Sequence, residues 1–255
     1  MKNNYFFGGI FGAILILSGC ASDRLKPAEA LPGGNVRSAP PAEQFSESQI
    51  LARAASQPPV PVAGEGWRPM FDGQSLAGWR ITDFGGTSRA EVRKGLILLP
   101  AGQAFTGISW TNPTPKVDYE ISLEAMRVSG SDFFCGLTFP VRDSFCSLIV
   151  GGWGGSIVGL SSLDGQDASE NETTKYISFE PGRWYHVRLR VTTEKIEAWV
   201  EQKKVANVTT TGRKVALRFG EIELSKPLGI ASWETGAALR EIKIRDVSAP
   251  DSAAE

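Results

Sequence analysis

Val117-Asp118-Tyr119-Glu120-Ile121-Ser122-Leu123-Glu124-Ala125 alternates without a break. The odd-numbered positions, Val117 to Ala125, are apolar, and the even-numbered ones are acidic or Ser. A period of two is the signature of a strand with one face buried and the other polar. Trp184-Tyr185-His186-Val187-Arg188-Leu189-Arg190-Val191 repeats the pattern. It sends Tyr185, Val187, Leu189 and Val191 inward and leaves Trp184, His186, Arg188 and Arg190 outward. The turn Thr192-Thr193-Glu194-Lys195 joins it to a partner, Ile196-Glu197-Ala198-Trp199-Val200-Glu201.

Working outward, further strands are expected over 133–139, 145–150, 157–160, 228–232 and 239–247. No long segment carries a 3.6-residue period. About twelve short strands separated by turn signals predict an all-β fold, an antiparallel β-sandwich of two sheets. Composition agrees. The 255 residues hold 28 Gly and 7 Trp, with 42% hydrophobic and 22% charged residues, enough for a packed core. A net charge of −1 lacks the basic excess of a nucleic-acid binder. One His and three Cys are too few for a Cys/His zinc site.

The N-terminal quarter reads differently. Residues 5–17 are apolar or Gly, too short a run for the roughly twenty residues of a membrane-spanning helix. Leu17-Ser18-Gly19-Cys20 follows. The segment resembles a bacterial lipoprotein signal over 1–19, which implies lipidation of Cys20 and a membrane anchor. Ala21 after the cysteine implies the outer membrane of a bacterial cell envelope. Residues 20–65, rich in Pro, Ala and Ser, are expected to form a linker, in which Ser46 and Gln49 can cap one short helix. The sandwich is expected over 66–248 and a disordered tail over 249–255. In an oxidising envelope, a hairpin centred near Pro140-Val141 would set Cys135 almost opposite Cys146. Either a disulfide or two buried free thiols follows, depending on register.

The richest polar stretch is Gly151-Gly152-Trp153-Gly154-Gly155 followed by 163–174. Glycines let a ligand approach the backbone, and Trp153 can present its face to a sugar ring. Asp164, Asn171, Trp184 and Arg188 are further candidate saccharide contacts. Asp164, Asp167 and Glu170 offer oxygen ligands that suit a divalent cation such as Ca²⁺. A plain solvated loop would use the same residues for turns. His186, with Glu170 and Glu172, supplies the candidate acid–base groups; a hydrogen-bonded sheet histidine is the alternative. Asp72 is expected to fix a turn, Trp79 to pack in the core, and Trp110 and Trp233 either to line a groove or to cover a sheet.

Phe71-Asp72-Gly73-Gln74-Ser75-Leu76-Ala77-Gly78-Trp79 resembles the opening motif of the bacterial 3-keto-disaccharide hydrolase family. Pro181-Gly182-Arg183-Trp184 with Ile196-Glu197-Ala198-Trp199, and the closing strands from Pro227 to Arg245, are similar to that family's later strands. The resemblance covers about residues 67–247. It implies a concanavalin A-like (laminin-G-like) jelly roll and a carbohydrate ligand. The family's strand after the hairpin often carries a Glu. Here that stretch has no carboxylate, and the resemblance transfers no catalytic residue. The implied reaction is elimination: a C3 ketone acidifies the C2 hydrogen, a base removes it, the C1 substituent leaves and water adds. Two functions are therefore expected as alternatives, a hydrolase or lyase on (3-keto-)glycosides and a non-catalytic carbohydrate-binding or adhesion lipoprotein.

Overall fold

The computed structural model describes residues 46–247. The signal at 1–19, Cys20, most of the linker and the tail at 249–255 lie outside the described residues. Within them run fifteen strands: β1 (Arg68–Pro69), β2 (Trp79–Ile81), β3 (Glu91–Arg93), β4 (Leu96–Leu99), β5 (Phe105–Trp110), β6 (Tyr119–Ser129), β7 (Cys135–Val141), β8 (Ser144–Gly152), β9 (Ile157–Ser161), β10 (Lys175–Tyr176), β11 (Trp184–Val191), β12 (Lys195–Val200), β13 (Lys203–Thr209), β14 (Gly229–Trp233) and β15 (Gly236–Asp246). One helix, α1 (Glu47–Ala55), precedes them.

The strands form two antiparallel sheets. The first has the order β13-β12-β11-β6-β15-β4-β3, with β1 on β15; the second runs β10-β9-β8-β7-β14-β5-β2. The alternating stretches sit side by side at the centre of the first sheet, with Leu189 opposite Ile121 and Val187 opposite Leu123. Their apolar faces meet Leu137, Phe139, Leu148, Leu160 and Ile230 of the second sheet in one core. Trp79 belongs to that core, and its Nε1 donates to the Met70 carbonyl at 2.6 Å. Asp72 builds the turn before it, accepting from Gln74 and Ser75 N–H groups at 2.7 Å, with Gly73 at φ +75°.

The folded part begins earlier than residue 66. Ser46 and Gln49 form the expected capping box, and Leu51 and Ala54 of α1 pack on Leu96, Leu98, Met126, Val128 and Trp184. This explains why Leu96-Ile97-Leu98-Leu99 is apolar on both faces. One face enters the core and the other meets the helix. Residues 57–65 continue as a strap across the same sheet. Beneath it, the acidic face of β6 is not solvent surface. Glu120 is fully buried between Arg190 (2.6 Å) and Arg245, while Glu124 meets Arg240 at 2.6 Å and the Val60 N–H at 2.7 Å. Arg240 also donates to the carbonyls of Gln57 and Pro58. The polar half of the alternation was filled by an ion network rather than by water, because a segment read as spacer returns to cover it.

The cysteine pairing needs a correction. The β7–β8 hairpin turns at Arg142-Asp143, two residues beyond the expected centre, so Val141 faces Ser144. That register sets Cys146 opposite Phe139 and Cys135 opposite Val150. Both are free, fully buried thiols pointing into the core, and burial pushes each thiol up to about 12.

Candidate functional site

The outward face of the second sheet is built from small residues in register. One row across it reads Gly107, Ala231, Gly136, Ile149, Gly159; the next reads Ser109, Gly229, Thr138, Ser147, Ser161. With so little side chain standing on the sheet, neighbouring loops can close over its flanks and leave a recess between them. At β14 the backbone of Ser225 approaches so closely that a Cβ at Gly229 would lie 2.6 Å from its carbonyl oxygen. On the other flank Ala168 crowds Gly159 in the same way, at 3.0 Å.

The recess has a volume of about 480 Å³, within the ~300–1,000 Å³ of small-molecule sites. Ser147, Ile149 and Ser161 lie on its floor. An aromatic group closes one end: Phe105 lies 4.6 Å from Trp233 edge-on and 5.9 Å from Phe133, ring centre to ring centre. Trp153, 38% exposed, and Phe219, 94% exposed, stand at the rim. Asp132, Arg218 and Glu221 supply its charge. Asp132 is occupied by the N–H groups of Phe133 and Gly154. Arg218 lies 5.9 Å from the Trp153 ring and 3.1 Å from Asp167, which in turn accepts from Ser161 at 2.9 Å. The Glu221 side chain makes no hydrogen bond or ion pair among the described residues, and its carboxylate is open to a ligand.

Trp153 is held from inside the sandwich. It sits at φ +49° between Gly151 at φ +81° and Gly154 at φ +82°, a tight turn that only glycine neighbours permit without strain. Arg127, buried on β6, donates from one Nη to the carbonyls of Asp132 (3.1 Å), Gly151 (3.2 Å) and Gly155 (2.9 Å). A Cβ at Gly151 would lie 2.6 Å from that nitrogen. Burial lowers the Arg127 pKa below its ordinary value.

Of the candidate site residues, the structure brings Trp153 to the recess, with Asp167 reaching it through Arg218. Asp164 turns instead to Arg213 and the Lys214 N–H, and Glu172 to the same Arg213 at 2.7 Å. These contacts hold both carboxyls below the usual range, first through the Lys214 N–H for Asp164 and first through Arg213 for Glu172. Asn171 is buried. Its amide donates to the carbonyls of Leu160, Gln166 and Asp167, fastening the loop rather than facing a ligand. Glu170 is exposed and does not line the recess. Asp164 and Asp167 therefore go to different arginines, and the expected convergence of Asp164, Asp167 and Glu170 on one cation is not formed. Among the described residues no group of three His, Cys, Asp or Glu is placed to hold a metal.

His186 does not meet Glu170 and Glu172, because the core separates them. It lies on the outward face of the first sheet, with Nε2 2.8 Å from Ser122 Oγ, so it is a hydrogen-bonded sheet histidine. Burial lowers its pKa against the opposing pull of Glu124 and Glu201. Trp184 is covered by α1, with its Nε1 on the Ala54 carbonyl at 3.1 Å and Arg240 over its ring. Arg188 stacks on Trp199 at 4.0 Å. These three share a sheet with each other but not with the recess. Sequence reasoning missed Phe105, Phe133, Arg218, Phe219 and Glu221. Only the outward parity of Phe105 on β5 carried a signal, because Glu221 opens a short 3-10 turn (Glu221–Ser225) with no period to read, and Arg218 and Phe219 lie in the loop before it.

No curated protein matches this chain. Among solved structures it is similar to a Parabacteroides distasonis ATCC 8503 protein provisionally described as a glycosyl hydrolase, at 11% identity and TM-score 0.46, covering 72% of this chain and 94% of that one. It is also similar to the carbohydrate-binding module CBM66 from Bacillus subtilis, at 10% identity and TM-score 0.45, covering 66% and 96%. A family model for the 3-keto-alpha-glucoside-1,2-lyase-like domain matches residues 66–245, the two sheets without α1 and the strap, and to that carbohydrate-related family this chain belongs.

Proposed function

We propose that the recess binds a 3-keto-glycoside and that the domain cleaves it by elimination and hydration. The observation that carries this reading is the unpartnered Glu221 carboxylate in a recess walled by Trp153 and Trp233, on a domain of this family. Glu221 takes the C2 proton made acidic by the C3 ketone. The positive guanidinium of Arg218 offsets charge developing on the ketone oxygen. The electron pair then re-forms the ketone as the C1–O bond breaks, and the departing oxygen takes the proton that Glu221 removed from C2. Water adds across the new C1=C2 bond. A divalent cation would assist the same enolate.

The test is turnover of 3-keto methyl α-glucoside by the purified protein, with and without added divalent metal. Glu221→Gln should lower kcat by about 10²-fold or more. A wild-type rate no greater than buffer rejects the hydrolase. A binding role is the second reading, favoured by the carboxylate-free floor of β8, where Ser147 and Ile149 face the ligand. It predicts saccharide affinity without turnover.

The anchor and its location belong to the same proposal. The resemblance of 1–20 to a lipoprotein signal supports lipidation at Cys20 and residence in the outer membrane, with a tether that ends by residue 46, where the folded part starts. Cys20→Ser should shift the protein from the membrane to the soluble fraction and abolish labelling by a radioactive fatty acid. Unchanged fractionation would sink this.

A further inference from the structure

Residues 217–220 run along the recess between two firmly held ends. Before them, Ser162 and Ala216 exchange backbone hydrogen bonds at 2.7 and 3.2 Å, and the Asp164 N–H donates to the Lys214 carbonyl at 2.7 Å. Ser144 Oγ donates to the Val215 carbonyl at 2.7 Å. After them, the turn Glu221–Ser225 is seated by Ile222, buried with Phe84 and Ala231. The Leu224 carbonyl accepts from Arg80 at 3.3 Å and from Ser109 Oγ at 3.4 Å. Between these ends the chain is nearly untied. The backbones of Leu217, Arg218 and Phe219 make no hydrogen bond among the described residues. Gly220 stands at φ +129° and ψ −161°, a region open to glycine alone. A Cβ there would meet nothing within 4 Å, so the backbone and not the packing requires the glycine.

Two adjacent side chains on this span are held in opposite ways. Arg218 is anchored. Its ion pair at 3.1 Å reaches Asp167, whose carboxylate accepts from Ser161 on the floor at 2.9 Å. Phe219 lines the recess yet is 94% exposed, and its ring makes no aromatic or cation contact among the described residues. Beside it the cavity is already walled by Phe105, Phe133, Trp153 and Trp233. An apolar ring left in water at such a mouth is stabilised by turning onto whatever fills it. Resting on the proposed function, we infer that Phe219 is a ligand-contacting residue carried on a flap. When a saccharide occupies the recess, rotation at Phe219 and Gly220 brings the ring down over it. The Asp167–Arg218 pair is the pivot. It keeps the guanidinium beside the ligand while the neighbouring residue moves.

Limited proteolysis with chymotrypsin reads the flap directly, since Phe219 and Gly220 are both exposed. The probe is methyl α-glucoside, which lacks the ketone that the elimination needs and so remains intact. At saturation it should slow cleavage after Phe219, followed by mass spectrometry, by about fivefold or more. Phe219→Ala should weaken the same sugar about tenfold by calorimetric titration, and Phe219→Leu should stay within about threefold of the wild type. A ring that stayed where it now stands would touch little of the ligand, and its loss would change nothing. Asp167→Asn, which keeps an acceptor for Ser161, should speed cleavage of the free protein about threefold, because Arg218 loses its charge partner. Asp167→Glu should restore the wild-type rate. Cleavage indifferent to bound sugar, or affinity within about twofold after Phe219→Ala, overturns the flap alone. Cleavage unchanged by Asp167→Asn overturns the pivot. Failure of methyl α-glucoside to bind the wild type overturns this inference, while turnover of the 3-keto sugar decides the proposed reaction separately.

Discussion

Glu124→Ala should cost about 3–5 kcal/mol of stability, the price of breaking a buried pair from one side. Glu124 is 1% exposed and Arg240 7%. The carboxylate takes Arg240 Nε on one oxygen and the Val60 N–H on the other. Removing it leaves a cation under the strap, with only the carbonyls of Ala54, Gln57 and Pro58 to satisfy it. The strap loses its hold at Val60 in the same step, which exposes the apolar seat of α1. Replacing both partners, Glu124→Leu with Arg240→Met, should recover most of the loss, because no buried charge remains. Asp246→Ala is the control. Its pair with Arg68 is 65% and 57% exposed, and its removal should cost far less than that of Glu124. Urea unfolding reads all three. A Glu124→Ala loss no larger than the control's would show that the strap is not fastened as described.

Trp153→Ala should weaken saccharide binding by about 30-fold or more, the ~2 kcal/mol expected of a central aromatic anchor, while leaving the unfolding midpoint nearly unchanged. The indole lies outside the sandwich core, so its loss opens no buried cavity. It removes the wall of the recess facing Trp233 and the surface on which Arg218 rests at 5.9 Å. His186→Ala should do the reverse, with no effect on affinity, because Ser122 and His186 lie on the far sheet. Titration of the same saccharide against both variants is decisive. Undiminished binding by Trp153→Ala, or loss of binding by His186→Ala, would move the site to the other face.

The two alternating stretches were enough to read the sandwich. The period of two at 119–125 and 184–191 admits one arrangement of inside and outside, and the structure keeps it there; Val117 and Asp118 fall before the strand, with Asp118 at φ +58°. What alternation cannot say is what lies on the polar side. Glu120 and Glu124 look like surface in the sequence, and Trp184, His186 and Arg188 look like a ligand face. Glu120 and Glu124 lie in an ion network under a strap contributed from more than fifty residues away, whose Pro and Ala content hid its packing; Trp184 lies under α1, and His186 and Arg188 are taken up by Ser122 and Trp199. Register was equally out of reach. Moving one hairpin turn by two residues separated Cys135 from Cys146. The recess was legible at Trp153, between its glycines, and at Trp233, one of the two tryptophans expected to line a groove or cover a sheet. Its other components come from Phe105 on β5 and from the loop and short 3-10 turn over 217–226. There, Phe219 and Glu221 are placed by the fold and not by any local pattern.

Arg127 joins these two levels. A guanidinium enclosed by the sandwich grips three carbonyls of the loops that carry Asp132 and Trp153. The position of the rim tryptophan is thus dictated by a residue no saccharide can touch. Anyone transplanting a foreign 151–155 segment to change ligand preference must reproduce the carbonyl geometry that this hidden cation demands, or redesign β6 along with it.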